Sequence, residues 1–162
     1  MCRVFNSILT VSAVAGLVGF VSFRAPSIEG VWRTAEITLS GPNAGTVVRP
    51  EANLDIITAK HYSRVEIHAP GPRPNVADAT KATADELRQA WGPVIAEAGS
   101  YEMRGNTVTM HPVVAKNPAG MAPGVFATYS YRLVGDTLWL TPQRDQRGPV
   151  TNPPTIKLTR VE

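Results

Sequence analysis

Cysteine is nearly absent from this sequence of 162 residues. The single cysteine, Cys2, lies in an apolar leader, so a chain that lost the leader would contain no thiol. This excludes a disulfide framework, a cysteine-ligated metal and a thiol nucleophile from the rest of the chain. The three histidines lack the close spacing of metal ligands, and there is neither a Gly-x-Ser-x-Gly motif nor a phosphate-binding glycine loop. We therefore expect no metal and no cofactor, and nothing favours serine or nucleotide hydrolysis.

Charged residues are also scarce, at 18% of the sequence, and they form no long run of one sign. Sixteen Lys and Arg face 13 Asp and Glu, which gives a formal charge of +3 and a pI of about 9.3. Two of the basic residues, Arg3 and Arg24, belong to the leader, so the remainder of the chain is almost neutral. Following a nucleic-acid backbone requires clustered Lys and Arg. The sequence therefore predicts no nucleic-acid partner.

The leader has the organisation of an export signal. Arg3 precedes an almost continuous apolar run over residues 8–23, which Arg24 ends. The run is shorter than the ~20 residues that span a bilayer comfortably. Cleavage after Ala25 would place Phe23 where a small residue is preferred. We therefore predict that residues 1–25 are a signal peptide, or an uncleaved anchor attached to the membrane through residues 8–23, and that the protein is exported to the periplasm or secreted.

Residues 26–162 have the composition of one globular domain, and the sequence is 43% hydrophobic overall. Apolar and polar residues alternate over residues 28–39, 52–58 and 61–67, which predicts β-strands. The proline-rich residues 69–75 predict a loop.

The domain contains one helical signal. Thr83 is a suitable N-cap, and the acidic pair after it suits a helix N-terminus. An apolar stripe at helical spacing follows, formed by Leu87, Trp91, Val94 and Ile95. We expect Gly92-Pro93 to kink or divide this helix and Gly99 to end it.

Two-residue Gly-x turns mark two hairpins in the second half of the chain. Gly105-Asn106 and Gly135-Asp136 each separate two alternating strands. Such a turn fixes the register, because the flanking residues pair and share a face. The first apolar face then contains Tyr101, Met103, Val108 and Met110, and the second contains Tyr129, Tyr131, Leu133, Leu138 and Leu140.

With a last strand over residues 155–160, the sequence contains about eight predicted strands. Antiparallel strands with one apolar face can close into a barrel and so remove their edges. We therefore predict a mainly β fold, an antiparallel up-and-down barrel of about eight strands with one short helix. A barrel of about eight strands has room for packed side chains or one small ligand.

Several short stretches occur in a recognisable order: Gly30-Val31-Trp32-Arg33, Gly99-Ser100-Tyr101-Glu102, GNTVTMH at residues 105–111, Asn117-Pro118-Ala119 and YRLVGDTLWLT at residues 131–141. In the order and spacing of these stretches, the sequence resembles the bacterial lipocalin-like domain, a relative of lipocalin and fatty-acid-binding barrels. The resemblance covers most of residues 28–160.

The resemblance implies a barrel with a hollow for a small apolar molecule. In lipocalins the Trp of the opening Gly-x-Trp lies across the barrel base, near an Arg of the last strand. Gly30, Trp32 and Arg160 take these structural positions here, with a cation–π pair between the last two. The family pattern often has two successive histidines where this sequence has Met110-His111, so paired-histidine chemistry is not implied.

Six residues on the predicted interior faces are the candidate ligand-binding set: Tyr101, Met103, Met110, Tyr129, Tyr131 and Leu140. Tyrosine hydroxyls that face a hollow can orient the polar end of a ligand. In a filled barrel the same side chains would only pack the core.

Catalytic residues are less well defined. His111 is a candidate because histidine side chains commonly transfer protons, but its position in the hairpin places it outward unless Pro112 creates a bulge. Glu36, Glu51 and Asp55 could supply carboxylates to the barrel mouth, although their spacing identifies no acid–base pair.

The sequence therefore favours an exported barrel that binds a small, largely apolar molecule in its interior. Two alternatives remain: a small barrel enzyme of the isomerase or cyclase type that uses Tyr and His, and a filled barrel that serves as an interaction module. The sequence does not determine the oligomeric state.

Overall fold

The structure is a computed structural model that describes residues 27–50, 52–69 and 71–162. The predicted leader, residues 1–25, lies outside the described residues. The strands are β1 (Gly30–Thr38), β2 (Val47–Val48), β3 (Asn53–Ile57), β4 (His61–Ile67), β5 (Val94–Arg104), β6 (Thr107–Ala115), β7 (Ala127–Val134), β8 (Thr137–Asp145), β9 (Gly148–Pro149) and β10 (Thr155–Arg160). The α-helix α1 spans Ala84–Trp91, and two 3-10 turns span Gly41–Asn43 and Pro118–Met121.

Eight long strands close into a barrel. Each is antiparallel to its neighbours, in the order β10-β1-β3-β4-β5-β6-β7-β8, and β8 pairs with β10 to complete the circle. The two-residue strands β2 and β9 extend β1 and β8 at one end. The prediction of a mainly β, antiparallel barrel of about eight strands with one short helix is therefore confirmed for the described part of the chain.

The two Gly-x hairpins have the register that their turns predict. Tyr101 pairs with Met110 across β5 and β6, and Tyr131 pairs with Leu140 across β7 and β8. Their apolar sides form most of the core, because Val108 and Leu138 are completely buried between them.

The helix is shorter than its apolar stripe predicts. A capping box starts it: the Thr83 hydroxyl accepts a hydrogen bond from the Glu86 backbone N–H, and the Glu86 carboxylate accepts one from the Thr83 N–H. It ends at Trp91, and Val94 already belongs to β5, so the prediction that the stripe continues to Ile95 is wrong. Pro93 interrupts the helix since it has no N–H, and β-branched residues after it pair along β4.

One end of the barrel, here called the closed end, is sealed by packing. Trp32 and Arg160 are directly paired across β1 and β10, and the guanidinium lies 4.1 Å from the indole ring centre. The same guanidinium donates to the carbonyl oxygens of Ser27 (2.9 Å) and Glu29 (2.6 Å). Gly30 permits this approach, because a Cβ there would lie 2.3 Å from Arg160 Nη1. These contacts tie the residues just before β1 to β10.

Candidate functional site

The opposite end of the barrel, here called the mouth, contains charge. Asp55 on β3, Arg64 on β4 and Glu97 on β5 are direct neighbours across the strands, since Asp55 pairs with Arg64 and Arg64 pairs with Glu97. Cross-strand partners share a face, and here that face is the interior. Glu66, two residues beyond Arg64, lies on the same side and is only 2% exposed. A guanidinium and three carboxyl groups thus lie on the interior side of β3, β4 and β5.

Glu66 is fully engaged. Its Oε1 accepts from the Thr34 hydroxyl at 3.0 Å, and its Oε2 lies 3.3 Å from Arg64 Nη2 and 2.7 Å from His68 Nε2. Burial raises the pKa of this carboxyl, but the Arg64 charge and the His68 and Thr34 hydrogen bonds outweigh burial and hold the pKa below its usual value. Glu66 is therefore ionised and is the principal counter-charge of Arg64.

Asp55 differs from Glu66, because its environment raises the pKa of its carboxyl group. Its side chain is buried, and its Oδ2 has no hydrogen-bond partner among the described residues. Burial and the neighbouring Glu66 charge raise its pKa from 3.8 to about 7, although Arg64 opposes the change. Asp55 therefore changes charge near neutral pH, unlike an ordinary carboxyl group.

Arg64 and Tyr62 lie at the boundary between two cavities. The inner cavity, of about 20 Å³, is bordered by Asp55, Glu66, Leu140 and other core residues as well as by this pair. A cavity needs roughly 10–15 Å³ to hold one water, so this space suits one water-sized group. Asp55 Oδ2 and Arg64 Nε, the two buried side-chain atoms without partners in the described chain, both belong to its walls.

The outer cavity, of about 210 Å³, occupies the mouth. Its floor includes Tyr62, Arg64, Met110 and Tyr129, and Glu97 forms part of its wall. Apolar side chains complete the wall: Ile95, Pro112, Val125 and Phe126. Asp145 contributes from the end of β8, and Gln146 contributes from the turn between β8 and β9. The mouth thus combines an apolar wall with two tyrosines and a charged floor.

Glu97 is held loosely compared with Glu66. Its Oε1 lies 3.8 Å from Arg64 Nη1 and accepts from the Tyr62 hydroxyl at 3.5 Å, and its side chain is 25% exposed. Burial, followed by the Glu97 charge, raises the pKa of Tyr62, so the phenol keeps its proton. Burial likewise raises the pKa of Tyr129. Two neutral tyrosine hydroxyls and one accessible carboxylate therefore face the mouth.

The six predicted ligand-binding residues occupy different levels of the barrel. Met110 and Tyr129 line the mouth cavity, and Met110 and Leu140 border the inner cavity. Tyr101, Met103 and Tyr131 lie towards the closed end. The Tyr101 hydroxyl donates to the Thr58 carbonyl at 2.6 Å, and the Tyr131 hydroxyl donates to the Gly105 carbonyl at 3.3 Å. These two tyrosines pack against the core and bond to turns.

His111 does not reach either cavity. It pairs with Ser100 and lies between Met110 and Pro112, which both face the interior, so its own side chain faces outward. The bulge that the sequence allowed at Pro112 is present. It begins after Pro112, so it does not change the outward direction of His111.

Sequence reasoning missed the buried ionic cluster. It counted Asp55 among the carboxylates that could serve the barrel mouth and gave no role to Arg64, Glu66 or Glu97. The signal available in the sequence was the two-residue period of β4. Tyr62, Arg64 and Glu66 occupy alternate positions and therefore share one face of the strand, and Tyr62 is the aromatic core residue on that face. The opposite face of the same strand carries Val65, which is exposed.

The described residues contain no group of three His, Cys, Asp or Glu side chains arranged to hold a metal ion. Within that same part of the chain, no helix has the length and apolarity required to cross a membrane.

The sequence matches no protein-family model, and its comparison with curated proteins gives no match. The site is therefore interpreted from the geometry of this chain alone.

Proposed function

We propose that this protein is a lipocalin-like binding protein that holds a small, largely apolar molecule in the mouth of its barrel. The observation that carries the proposal is the 210 Å³ mouth cavity, in which one apolar wall faces a floor of tyrosine hydroxyls and charge. Binding sites typically combine apolar walls with a few convergent polar groups. The packed closed end, with Arg160 stacked on Trp32, supports the lipocalin-like relationship.

The size of the cavity limits the ligand. Pockets for drug-sized molecules have volumes of about 300–1,000 Å³, so the mouth cavity, at about 210 Å³, suits a smaller ligand such as a single substituted ring. Burial of its apolar surface would stabilise the complex by about 25 cal/mol per Å². The hydroxyl of Tyr129, which lines the cavity, would orient its polar end.

Isothermal titration calorimetry with benzyl alcohol tests this function. We expect the full chain to bind the probe, and Tyr129→Phe to weaken binding by about two- to tenfold, which is the value of one neutral hydrogen bond. Tyr131→Phe is the matched control, because its hydroxyl bonds to a turn carbonyl outside the cavity. Equal effects of the two variants would contradict the proposal. Absence of binding by benzyl alcohol, cyclohexanol and indole would favour a filled-barrel interaction module.

A second candidate function is proton-transfer catalysis in the same cavities, of the isomerase or cyclase type. An inward carboxyl group beside a tyrosine favours it, because Glu97 lines the mouth cavity and accepts a hydrogen bond from the Tyr62 hydroxyl. The version that uses His111 is weakened by its outward position. Deuterium exchange into cyclohexanone in D₂O should be accelerated by the protein, slowed by Glu97→Gln, which removes the carboxyl group of the mouth cavity beside Tyr62, and unaffected by His111→Ala. Exchange no faster than in buffer would refute this candidate.

We also propose that the protein is exported, on the sequence of residues 1–25. The leader is either removed or kept as an anchor through residues 8–23. The mass of the chain isolated from its producing cells distinguishes a removed leader from a retained one, because cleavage would remove residues 1–25 and with them the only cysteine, Cys2. Retention of the full chain in the cytoplasm would contradict export.

A further inference from the structure

We propose that the mouth cavity selects ligands with a positively charged amino group, and that Glu97 is the residue that binds this group. The inference rests on the proposed binding function and specifies its ligand class: a small apolar primary amine. The argument starts from the balance of charge around the cavity.

Arg64 is the single cationic side chain among the described residues that line the mouth cavity. Its charge is already offset, because Nη2 lies 3.3 Å from Glu66 and Nη1 lies 3.8 Å from Glu97. Asp55 lies directly across the strand from it and adds a third carboxyl group. A carboxylate ligand that approached Arg64 would therefore meet a site in which carboxyl groups outnumber guanidinium groups.

The charged residues at the rim of the cavity do not reverse this excess of carboxyl groups over guanidinium groups. Asp145 lines the mouth and forms an ion pair with the exposed Arg147, at 2.5 Å between Oδ2 and Nη2. Arg144 lies 5.6 Å from the Phe126 ring centre and is exposed. These two arginines are solvated and outside the cavity lining, so their charges are screened more strongly than those of the buried groups.

Glu97 provides the free acceptor. Its two contacts are long, at 3.5 Å to the Tyr62 hydroxyl and 3.8 Å to Arg64, whereas Glu66 makes three shorter contacts. An ammonium group has three donors and no acceptor. It could donate to Glu97 and to the hydroxyl oxygen of Tyr62, which lines the same cavity.

A second observation, the unpartnered oxygen of Asp55, also indicates that the described interior lacks hydrogen-bond donors. Asp55 is 7% exposed, and its Oδ2, which borders the inner cavity, has no hydrogen-bond partner among the described residues. The inner and outer cavities share Tyr62, Arg64 and Met110 as walls. The interior immediately behind the mouth therefore adds a further acceptor to a site already rich in them.

The ligand body is set by the apolar wall. Ile95, Val125 and Phe126 surround the mouth, and Phe126 offers an aromatic ring on which a ligand ring could pack. The complete ligand is thus an aryl or alkyl group of about one ring, carrying an amine that points towards β5.

Calorimetry with benzylamine, benzyl alcohol and benzoate at pH 7.5 tests the inference, because the three probes share one ring. We expect benzylamine to bind about tenfold more tightly than benzyl alcohol, as a charge-assisted hydrogen bond requires, and benzoate to bind most weakly. Glu97→Gln should remove the preference for the amine, so that benzylamine and benzyl alcohol bind to this variant within about twofold of each other. Glu102→Gln is the matched control, since this exposed glutamate lies on the same strand at the other end.

The outcomes separate the two proposals. If benzyl alcohol binds and benzylamine binds no better, the charge inference fails and the binding function stands. Tightest binding of benzoate would identify Arg64 as the anchor and overturn the inference. If none of the three probes binds, the proposed function itself fails. Thermal melting of each variant checks folding, and Glu97→Asp, which keeps the charge, should retain the amine preference that Glu97→Gln loses.

Discussion

The buried carboxyl group of Asp55 makes the stability of this protein depend on pH in an unusual direction. Its pKa is raised by burial from 3.8 to about 7. Between these two values the native state holds a proton that the unfolded state releases. The associated stability is complete below pH 4 and is lost as the pH rises through about 7.

The size of this effect follows from the shift. Each pKa unit corresponds to about 1.4 kcal/mol, so a shift of about three units sets an upper limit of about 4 kcal/mol for ionising Asp55 in the fold. Asp55→Asn keeps the shape and cannot ionise. We therefore expect this variant to unfold like the parent near pH 4 and to be more stable at pH 8, by roughly 2 kcal/mol or more.

Urea unfolding at pH 4, 5, 6, 7 and 8 measures the difference. The parent should lose stability between pH 5 and pH 7, whereas Asp55→Asn should show a flatter profile. Glu102→Gln removes an exposed carboxylate and should keep the parent's slope. Equal pH profiles for the parent and Asp55→Asn, or a parent that gains stability towards pH 8 through this residue, would refute the reasoning about burial.

Three further changes test the packing and charge of the barrel. Leu138→Ala should destabilise the fold by about 2–5 kcal/mol in urea unfolding, because this core side chain is fully buried, whereas Val134→Ala, which is 57% exposed, should cost less than about 0.5 kcal/mol. Arg160→Lys should lower stability by about 1–3 kcal/mol, since lysine cannot bond both backbone carbonyls while stacking on the indole. Glu66→Gln should cost about 3–5 kcal/mol, because Arg64 would lose its principal counter-charge. A near-neutral result for Leu138→Ala, Arg160→Lys or Glu66→Gln would contradict the corresponding contact.

The barrel could be predicted because its clearest strands carry local signals. The turn at Gly105-Asn106 and the one at Gly135-Asp136 fix the register of their hairpins, and alternation then assigns the faces. Hairpin pairing is local in sequence, so no tertiary information was needed to find it. The closure between β8 and β10 followed from the strand count and the need to remove edges.

The site could not be predicted in the same way, because its charges come from strands whose interior face looks like a solvent face. In β4 the alternate residues Arg64 and Glu66 face inward, while Val65 faces solvent. Hydropathy alone assigns these faces the wrong way round. Only the cross-strand pairing of Arg64 with Asp55 and Glu97 reveals that the charges compensate one another in the interior.

The helix boundary illustrates the same limit. Val94 and Ile95 continue the helical spacing of Leu87 and Trp91, yet they pair along β4. Tertiary pairing overrides a short periodic signal there, and Pro93 determines where the change takes place.

The most direct test of the account is the location of a bound small molecule within the barrel. The protein has four methionines, of which Met110 lines both cavities and Met103 lies near the closed end. In a sample labelled with ¹³C at the methionine methyl groups, titration with benzylamine should shift the Met110 signal and leave the Met103 signal in place. A shift confined to Met103, or saturable binding that moves neither signal, would contradict binding at the mouth.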